Sequence, residues 1–212
     1  MPHVCAVVVA AGLSSRMHTF KPLLPIKNKP AIVHLSDVLL SAGVSRVIVV
    51  SGFRHTELEV SCSEIEQIQF VHNPDYASTQ MFDSAKIGFA SVPPEYDRIL
   101  FMPADIPLVS AHTIISLLEQ DDPLLFPSYH YHRGHPMALD AWLLPYITQY
   151  IGTGGLRGAI AALPVEPSYL VVEDPFVLMD MDTPSDYLTL LQHYDQMGGV
   201  NGELSSQHVE FP

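Results

Sequence analysis

Val4-Cys5-Ala6-Val7-Val8-Val9-Ala10 is an unbroken apolar run dominated by β-branched residues. With no polar alternation along it, the run predicts a strand covered on both faces, as in a parallel sheet layered between helices. Gly12-Leu13-Ser14-Ser15 breaks the run, and Pro22, Pro25 and Pro30 keep the following stretch out of regular structure. The rhythm then repeats. Helical spacing over 31–42 ends at Gly43, and further strands are predicted at 46–50, 68–71 and 98–102, with helices at 53–65, 80–90 and 111–118. This alternation predicts an α/β chain with a mostly parallel sheet and right-handed crossovers.

After residue 121 the rhythm changes. Short strands at 124–126 and 137–139 flank a polar segment, Tyr129 to His135. A glycine-rich stretch, Gly152-Thr153-Gly154-Gly155, precedes a short helix, a strand follows at 169–172, and a helix spans 184–196 with Asp182 or Thr183 as its cap. Trp142, Tyr146 and Tyr150 recur every four residues and read as packing residues of a helix. The chain reads as one domain over 1–197, with a disordered tail over 198–212 rich in Gly, Ser, Asn, Gln and Glu.

The composition, 48% hydrophobic and 16% charged, excludes disorder over most of the length. The longest strongly apolar stretch, residues 4–11, falls far short of the roughly 18 residues of a membrane span, and no basic leader precedes it. Cys5 and Cys62 are too few for a disulfide framework, and together these features predict a cytoplasmic protein. A formal charge of −13 argues against a nucleic-acid partner. Yet the first 36 residues carry Arg16, Lys21, Lys27 and Lys29 and no carboxylate, while the remainder holds six bases against 23 acids. A small basic island in an acidic chain suggests a local phosphate site.

Ligands of open α/β sheets bind at the carboxyl ends of strands. The first such end here is Ala10-Ala11-Gly12-Leu13-Ser14-Ser15-Arg16, followed by Lys21. Gly12 allows close backbone approach to a phosphate, Ser14 and Ser15 add hydroxyls, and Arg16 and Lys21 add charge. The loop matches neither the dinucleotide nor the Walker fingerprint. At the end of the 98–102 strand, Met102-Pro103-Ala104-Asp105-Ile106-Pro107 presents a carboxylate between prolines. Asp105 suits a hard divalent cation held against phosphates, or else caps the helix that follows. Asp180 and Asp182, two apart, share one face of an extended segment and are candidates for the same metal.

The stretch from Ala10 to Met17 with Lys21-Pro22-Leu23-Leu24-Pro25 resembles the A-A-G-x-S-x-R-M…K-x-L-L-P signature of MobA-like nucleotidyltransferases, and more narrowly of the molybdenum-cofactor cytidylyltransferases. Four later segments agree in order: Asn73-Pro74-Asp75-Tyr76 running to Met81, Ser84 and Gly88; Asp105 in an aspartate-proline motif; Arg133-Gly134-His135-Pro136; and the stretch from Asp180 to Tyr187. The resemblance implies a three-layer, Rossmann-like nucleotidyltransferase fold. It also implies transfer of CMP from CTP to the phosphate of a molybdopterin-type cofactor, with release of pyrophosphate. Arg16, Lys21 and Asp105 become the catalytic candidates, and residues 10–16, Lys21 and Asp105 the nucleotide-binding ones. Ser84, Gly134, His135 and Pro136 would contact the acceptor, and Mg²⁺ would sit on Asp105 and Asp182, with Asp180 in reserve. The implied partners are CTP or another nucleoside triphosphate, a phosphorylated pterin, and a molybdenum enzyme or its chaperone.

The rivals are guanylyl or other nucleotidyl transfer to the pterin or to a sugar or polyol phosphate, and a non-catalytic nucleotide or cofactor carrier. Departures from the family pattern are His18, Thr79-Gln80 in place of a glycine, Asp83 for serine, Ala104 for glycine and Thr153 for aspartate. A zinc site at His130 and His132 lacks a nearby Cys and a clear fourth ligand, so His135 is read as facing substrate and the other two as solvated.

Overall fold

The computed structural model describes residues 3–14, 16–17 and 19–198. Ser15 and His18, and all but the first residue of the predicted tail, lie outside the described residues.

Strand β1 (Val4–Ala10) is buried at all seven positions. Its side chains alternate between two cores, as the pleat requires. Val4, Ala6, Val8 and Ala10 face a cluster containing Ile32, Leu35 and Leu39 of α1 (Ala31–Ser41), Leu58 of α2 (His55–Ser61) and Ile114 and Leu117 of α4 (Ala111–Leu118). Cys5, Val7 and Val9 face Ala85 and Phe89 of α3 (Met81–Ala90), Leu144 and Ile147 of α5 (Leu144–Thr148), and Ala159 and Ile160 of α6 (Gly155–Ala161). Helices thus cover both faces, which is why the run needs no polar alternation.

The remaining strands are β2 (Pro25–Ile26), β3 (Lys29–Pro30), β4 (Arg46–Ser51), β5 (Ile68–His72), β6 (Arg98–Pro103), β7 (Leu124–Tyr129), β8 (His132–Arg133), β9 (Met137–Asp140) and β10 (Ser168–Val171). The main sheet runs β10-β7-β9-β6-β1-β4-β5, with β8 paired to β7. β1 pairs in parallel with β4 and β6, β4 with β5, and β7 with β10, while β9 runs antiparallel to both β6 and β7. The chain is therefore a mostly parallel, three-layer α/β structure. The closing helix α7 (Pro184–Gly198) packs through Tyr187 and Leu190 onto Met17, Leu24, Ile26 and Met181, a third core beside the first turn. No described helix is long and apolar enough to cross a membrane.

Three sequence expectations change. The helix expected over 53–65 shrinks to α2. Arg54 adopts a left-handed backbone with φ 54°, and Phe53 turns away to pack edge-on against Phe20, with ring centroids 5.6 Å apart. The proline-rich stretch after Lys21 is not wholly irregular: β2 and β3 form a small antiparallel pair about a turn at Lys27. Trp142 and Tyr146 are half exposed, because Pro145 opens a short new helix whose buried side is Leu144 and Ile147. Of the three aromatics, only Tyr150 packs inward, against Phe82.

Gly88 lets α3 lie directly on the sheet. A Cβ there would come within 2.5 Å of Val7 Cγ1 and 2.7 Å of Val50 Cγ2. Gly88→Ala is therefore expected to lower stability by about 1–3 kcal/mol through overpacking, measured by denaturant unfolding.

Candidate active site

Three separate chain segments meet at the carboxyl edge of the central strands. The turn after β1 contributes Arg16 and Lys21, the turn after β6 contributes Asp105, and the approach to α7 contributes Asp182. Lys21 Nζ donates to Asp182 Oδ1 at 2.5 Å and to Asp105 Oδ2 at 3.2 Å. Arg16 Nη2 lies 2.8 Å from Asp182 Oδ2. The Asp105 carbonyl accepts from the Met181 amide at 3.0 Å, which ties the two acidic segments together through the backbone. Lys21 is well shielded, its side chain 12% exposed, whereas Arg16 is 70% exposed.

The alternative capping roles fall away. Ser110 caps α4, its hydroxyl accepting from the Thr113 amide, so Asp105 is not the helix cap. Thr183 caps α7 in a reciprocal box: the Asp186 amide donates to Thr183 Oγ1, and the Asp186 carboxylate accepts from the Thr183 amide. Asp182 is left to the cations. Its carboxyl is held below the ordinary aspartate value by the hydrogen bond from Lys21, with help from the Arg16 charge. Asp180 is pushed the other way, by burial and then by the neighbouring charges of Asp182 and Asp105.

Beside this cluster opens a cavity of about 180 Å³. One wall is Val9 to Gly12, Ser14, Lys21 and Asp105; the other is Tyr76, Thr79, Gln80, Met81 and Ser84. A Cβ on Gly12 would meet nothing within 4 Å, so this glycine opens onto free space where a ligand can approach the backbone. Ser14 has φ 53°, and its Oγ accepts from the Lys21 amide at 3.2 Å, so its hydroxyl helps set the position of the lysine. Leu13 is half exposed and does not line the cavity.

Ser84 lines this cavity, whereas Gly134, His135 and Pro136 do not. That turn braces the strand of chain leading to the acidic segment: the His135 amide donates to the Val177 carbonyl at 2.9 Å, and a Cβ on Gly134 would strike the same carbonyl at 2.6 Å. The His135 Nδ1 is sealed from solvent with no hydrogen-bond partner among the described residues, and burial pushes the imidazole down to about 4. Between pH 6.5 and about 4 the unfolded chain thus binds a proton that the folded chain refuses. Stability is expected to rise with pH across that window, by about 3 kcal/mol in all. Urea unfolding at pH 4.5 and 7 measures this, and His135→Gln should flatten the slope.

Several residues that matter here carry no motif. Gly52 allows β4 to meet the cavity wall, since a Cβ there would lie 2.5 Å from Tyr76 Cβ and 2.7 Å from the Ala11 carbonyl. Asp174 is buried and accepts from the amides of Ser110 and Phe176 and from Thr113 Oγ1, anchoring the segment that precedes Asp180. Asp83, a departure that adds charge, accepts from the Gln80 amide at the start of α3 and does not line the cavity.

Among the described residues, no three His, Cys, Asp or Glu side chains converge tightly enough to chelate an ion as they stand. The donor chemistry still fits a hard divalent cation. Asp105 and Asp182 both reach one point, now held by the Lys21 ammonium, and Asp180 adds a third carboxylate whose charge is disfavoured there. His130 and His132 are both exposed and belong to no such group.

The molybdenum cofactor cytidylyltransferase of Escherichia coli is 28% identical over 199 residues, covering 93% of this chain and all of that protein. The nicotine blue oxidoreductase of Paenarthrobacter nicotinovorans is 27% identical over 202 residues, covering 90% of this chain and 98% of that one. Among solved structures, a nucleotidyl transferase from Methanothermobacter thermautotroptrophicus superposes with a TM-score of 0.77 at 26% identity, covering 92% of this chain and 98% of the other. The family model for the MobA-like NTP transferase domain matches residues 6–167, a span that takes in the β1 turn, β4 to β6 and Asp105, and the chain belongs to that family.

Proposed function

We propose that this protein transfers CMP from CTP to the phosphate of a molybdopterin-type cofactor and releases pyrophosphate. The observation that carries the reading is Lys21 Nζ bridging Asp105 and Asp182 beside the open backbone at Gly12. The triphosphate would lie along residues 10–16, with Ser15 among them, and its base would enter between Tyr76 and Ser84. Arg16 and Lys21 neutralise the β- and γ-phosphates and the departing pyrophosphate. A phosphate oxygen of the acceptor attacks the α-phosphorus, and the bond from that phosphorus to the bridging oxygen of the β-phosphate breaks. The acceptor phosphate is largely ionised near neutral pH, so the chain needs to supply positioning more than a general base. Asp105 and Asp182, with Asp180 nearby, are the residues to hold Mg²⁺, which when bound supplies charge neutralisation at the phosphate oxygens. Gly134, His135 and Pro136 shape the acceptor side by bracing the acidic segment. A molybdenum enzyme or its chaperone would receive the product.

Membership in the family leaves the base and the acceptor open, and a relative of similar identity bears an oxidoreductase name. The turn at Gly12 lacks the G-x-G-x-x-G of dinucleotide sites, which favours the transferase. The test is pyrophosphate release with each of the four nucleoside triphosphates, Mg²⁺, and either the pterin cofactor or sugar and polyol phosphates. Release requiring CTP and the pterin is expected. Release with GTP, or with a sugar phosphate alone, replaces the reading with the corresponding transfer, and ligand binding without turnover replaces it with a carrier.

A further inference from the structure

Asp105 and Asp182 offer four carboxylate oxygens, and three of them already carry a cation. Lys21 Nζ lies between Asp182 Oδ1 at 2.5 Å and Asp105 Oδ2 at 3.2 Å, and Arg16 Nη2 lies 2.8 Å from Asp182 Oδ2. Asp105 Oδ1 alone has no cationic partner among the described residues. The ammonium therefore stands on the bridge between the two acids, where a divalent ion held by both would belong. The two cannot share that place. An ammonium and a divalent ion in contact with the same oxygens repel each other, most strongly where water is largely kept out, and the Lys21 side chain is only 12% exposed. Lys21 also borders the cavity, on the same wall as Gly12, Ser14 and Asp105. Its amide is tied to Ser14 Oγ at 3.2 Å, which fixes the backbone while the flexible four-carbon stem can still turn. A polyanion entering that cavity comes within reach of the same ammonium.

We infer that Lys21 is a built-in competitor for the divalent ion. Its ammonium holds the acid pair until a polyphosphate in the cavity draws it away, so the ion alone binds weakly and nucleotide and ion bind with strong positive coupling. This rests on reading the cavity as the nucleotide site and Asp105 and Asp182 as the metal ligands. The size of the effect follows from how often the ammonium is withdrawn. An acid pair left bare about one time in ten binds an ion about tenfold more weakly than a pair that is always bare. The polyphosphate gives the lysine oxygens of its own and so raises that fraction. By linkage, the ion raises the affinity for the polyphosphate by the same factor.

The test is Mn²⁺ binding, followed through the electron paramagnetic resonance of the free ion, first without nucleotide. Lys21→Met should bind Mn²⁺ about tenfold or more tightly than wild type, and Asp182→Asn in that variant should abolish the gain. With saturating CTP, the rise in Mn²⁺ affinity should be about tenfold or more smaller in Lys21→Met than in wild type. Contact between ion and phosphates is common to both proteins, and only the wild type has an ammonium to move. Thermal melts establish that each variant is folded. Lys21→Gln, which keeps a hydrogen-bond donor without the charge, replaces Lys21→Met if that variant does not fold. Equal or undetectable Mn²⁺ binding by wild type and variant without nucleotide overturns the inference, as does a gain that survives Asp182→Asn. Either result leaves cytidylyl transfer to be decided by pyrophosphate release from the wild type. Release with another nucleotide replaces cytidylyl transfer instead, and that nucleotide then takes the place of CTP in the coupling measurement.

Discussion

Asp105→Asn is expected to abolish measurable pyrophosphate release while leaving the fold in place. Asp105 is set by the turn after β6, and its backbone carbonyl, which accepts from Met181, is untouched by the change. Its side chain is about a quarter exposed and has one cation partner, Lys21 at 3.2 Å, which an amide oxygen can still satisfy. Stability should therefore move by less than about 1 kcal/mol. Catalysis should not be spared. A neutral amide is a poor ligand for a hard divalent cation and removes charge from the point where phosphate oxygens are neutralised. A loss of about 10³-fold or more in kcat is expected from steady-state pyrophosphate release. A variant within tenfold of wild type removes Asp105 from the reaction.

Lys21→Ala should have the second largest effect, and it should show in stability as well as activity. The lysine is the bond between three segments: Ser14 fixes its amide, and its ammonium holds Asp105 and Asp182. Without it, two partly shielded carboxylates face each other with only Arg16 to compensate. Breaking a buried pair costs about 3–5 kcal/mol, and the carboxylates here are about a quarter exposed, so about 2 kcal/mol is expected, or roughly 4–8 °C in Tm. Asp182 gives the loss a pH signature. Its folded pKa lies below the ordinary value of 3.8, so its contribution is present above that value and disappears as pH falls through the folded pKa. Wild type and Lys21→Ala should therefore differ at pH 7 and converge in acid. A divalent cation should raise the Tm of the variant more than that of the wild type, since the ion can take the place the ammonium leaves. Equal melting curves at pH 7 would deny Lys21 its bridging role.

The central strands were legible because burial on both faces makes their middles continuous apolar runs, and β1, buried at all seven positions, is the plainest case. Gly43 was legible as a stop because its φ of +99° suits glycine and few others. The lost turns of α2 were not, since they depend on Phe53 meeting Phe20, an event of the tertiary fold. The same holds for Trp142 and Tyr146, whose spacing suggested a packed stripe that Pro145 displaces. At the candidate site, residue types and strand ends pointed to Gly12, Arg16, Lys21 and Asp105. Spacing could not choose between Asp180 and Asp182; the structure pairs Asp182 with Lys21 across 161 residues and leaves Asp180 disfavoured as a charge. Gly52, Asn73 and Asp174 act through partners that no local pattern predicts. Gly52 is fixed by the Tyr76 side chain, Asn73 by two hydroxyls on the next loop and helix, and Asp174 by the start of α4.

The most direct measurement is a crystal of the protein soaked with CTP and Mn²⁺, with the ion located by its anomalous scattering. The triphosphate should lie against the backbone at Gly12 with Arg16 and Lys21 on its oxygens, and the ion should touch carboxylate oxygens of Asp105 and Asp182. An ion bound elsewhere, or a nucleotide whose phosphates point away from the β1 turn, would contradict the account.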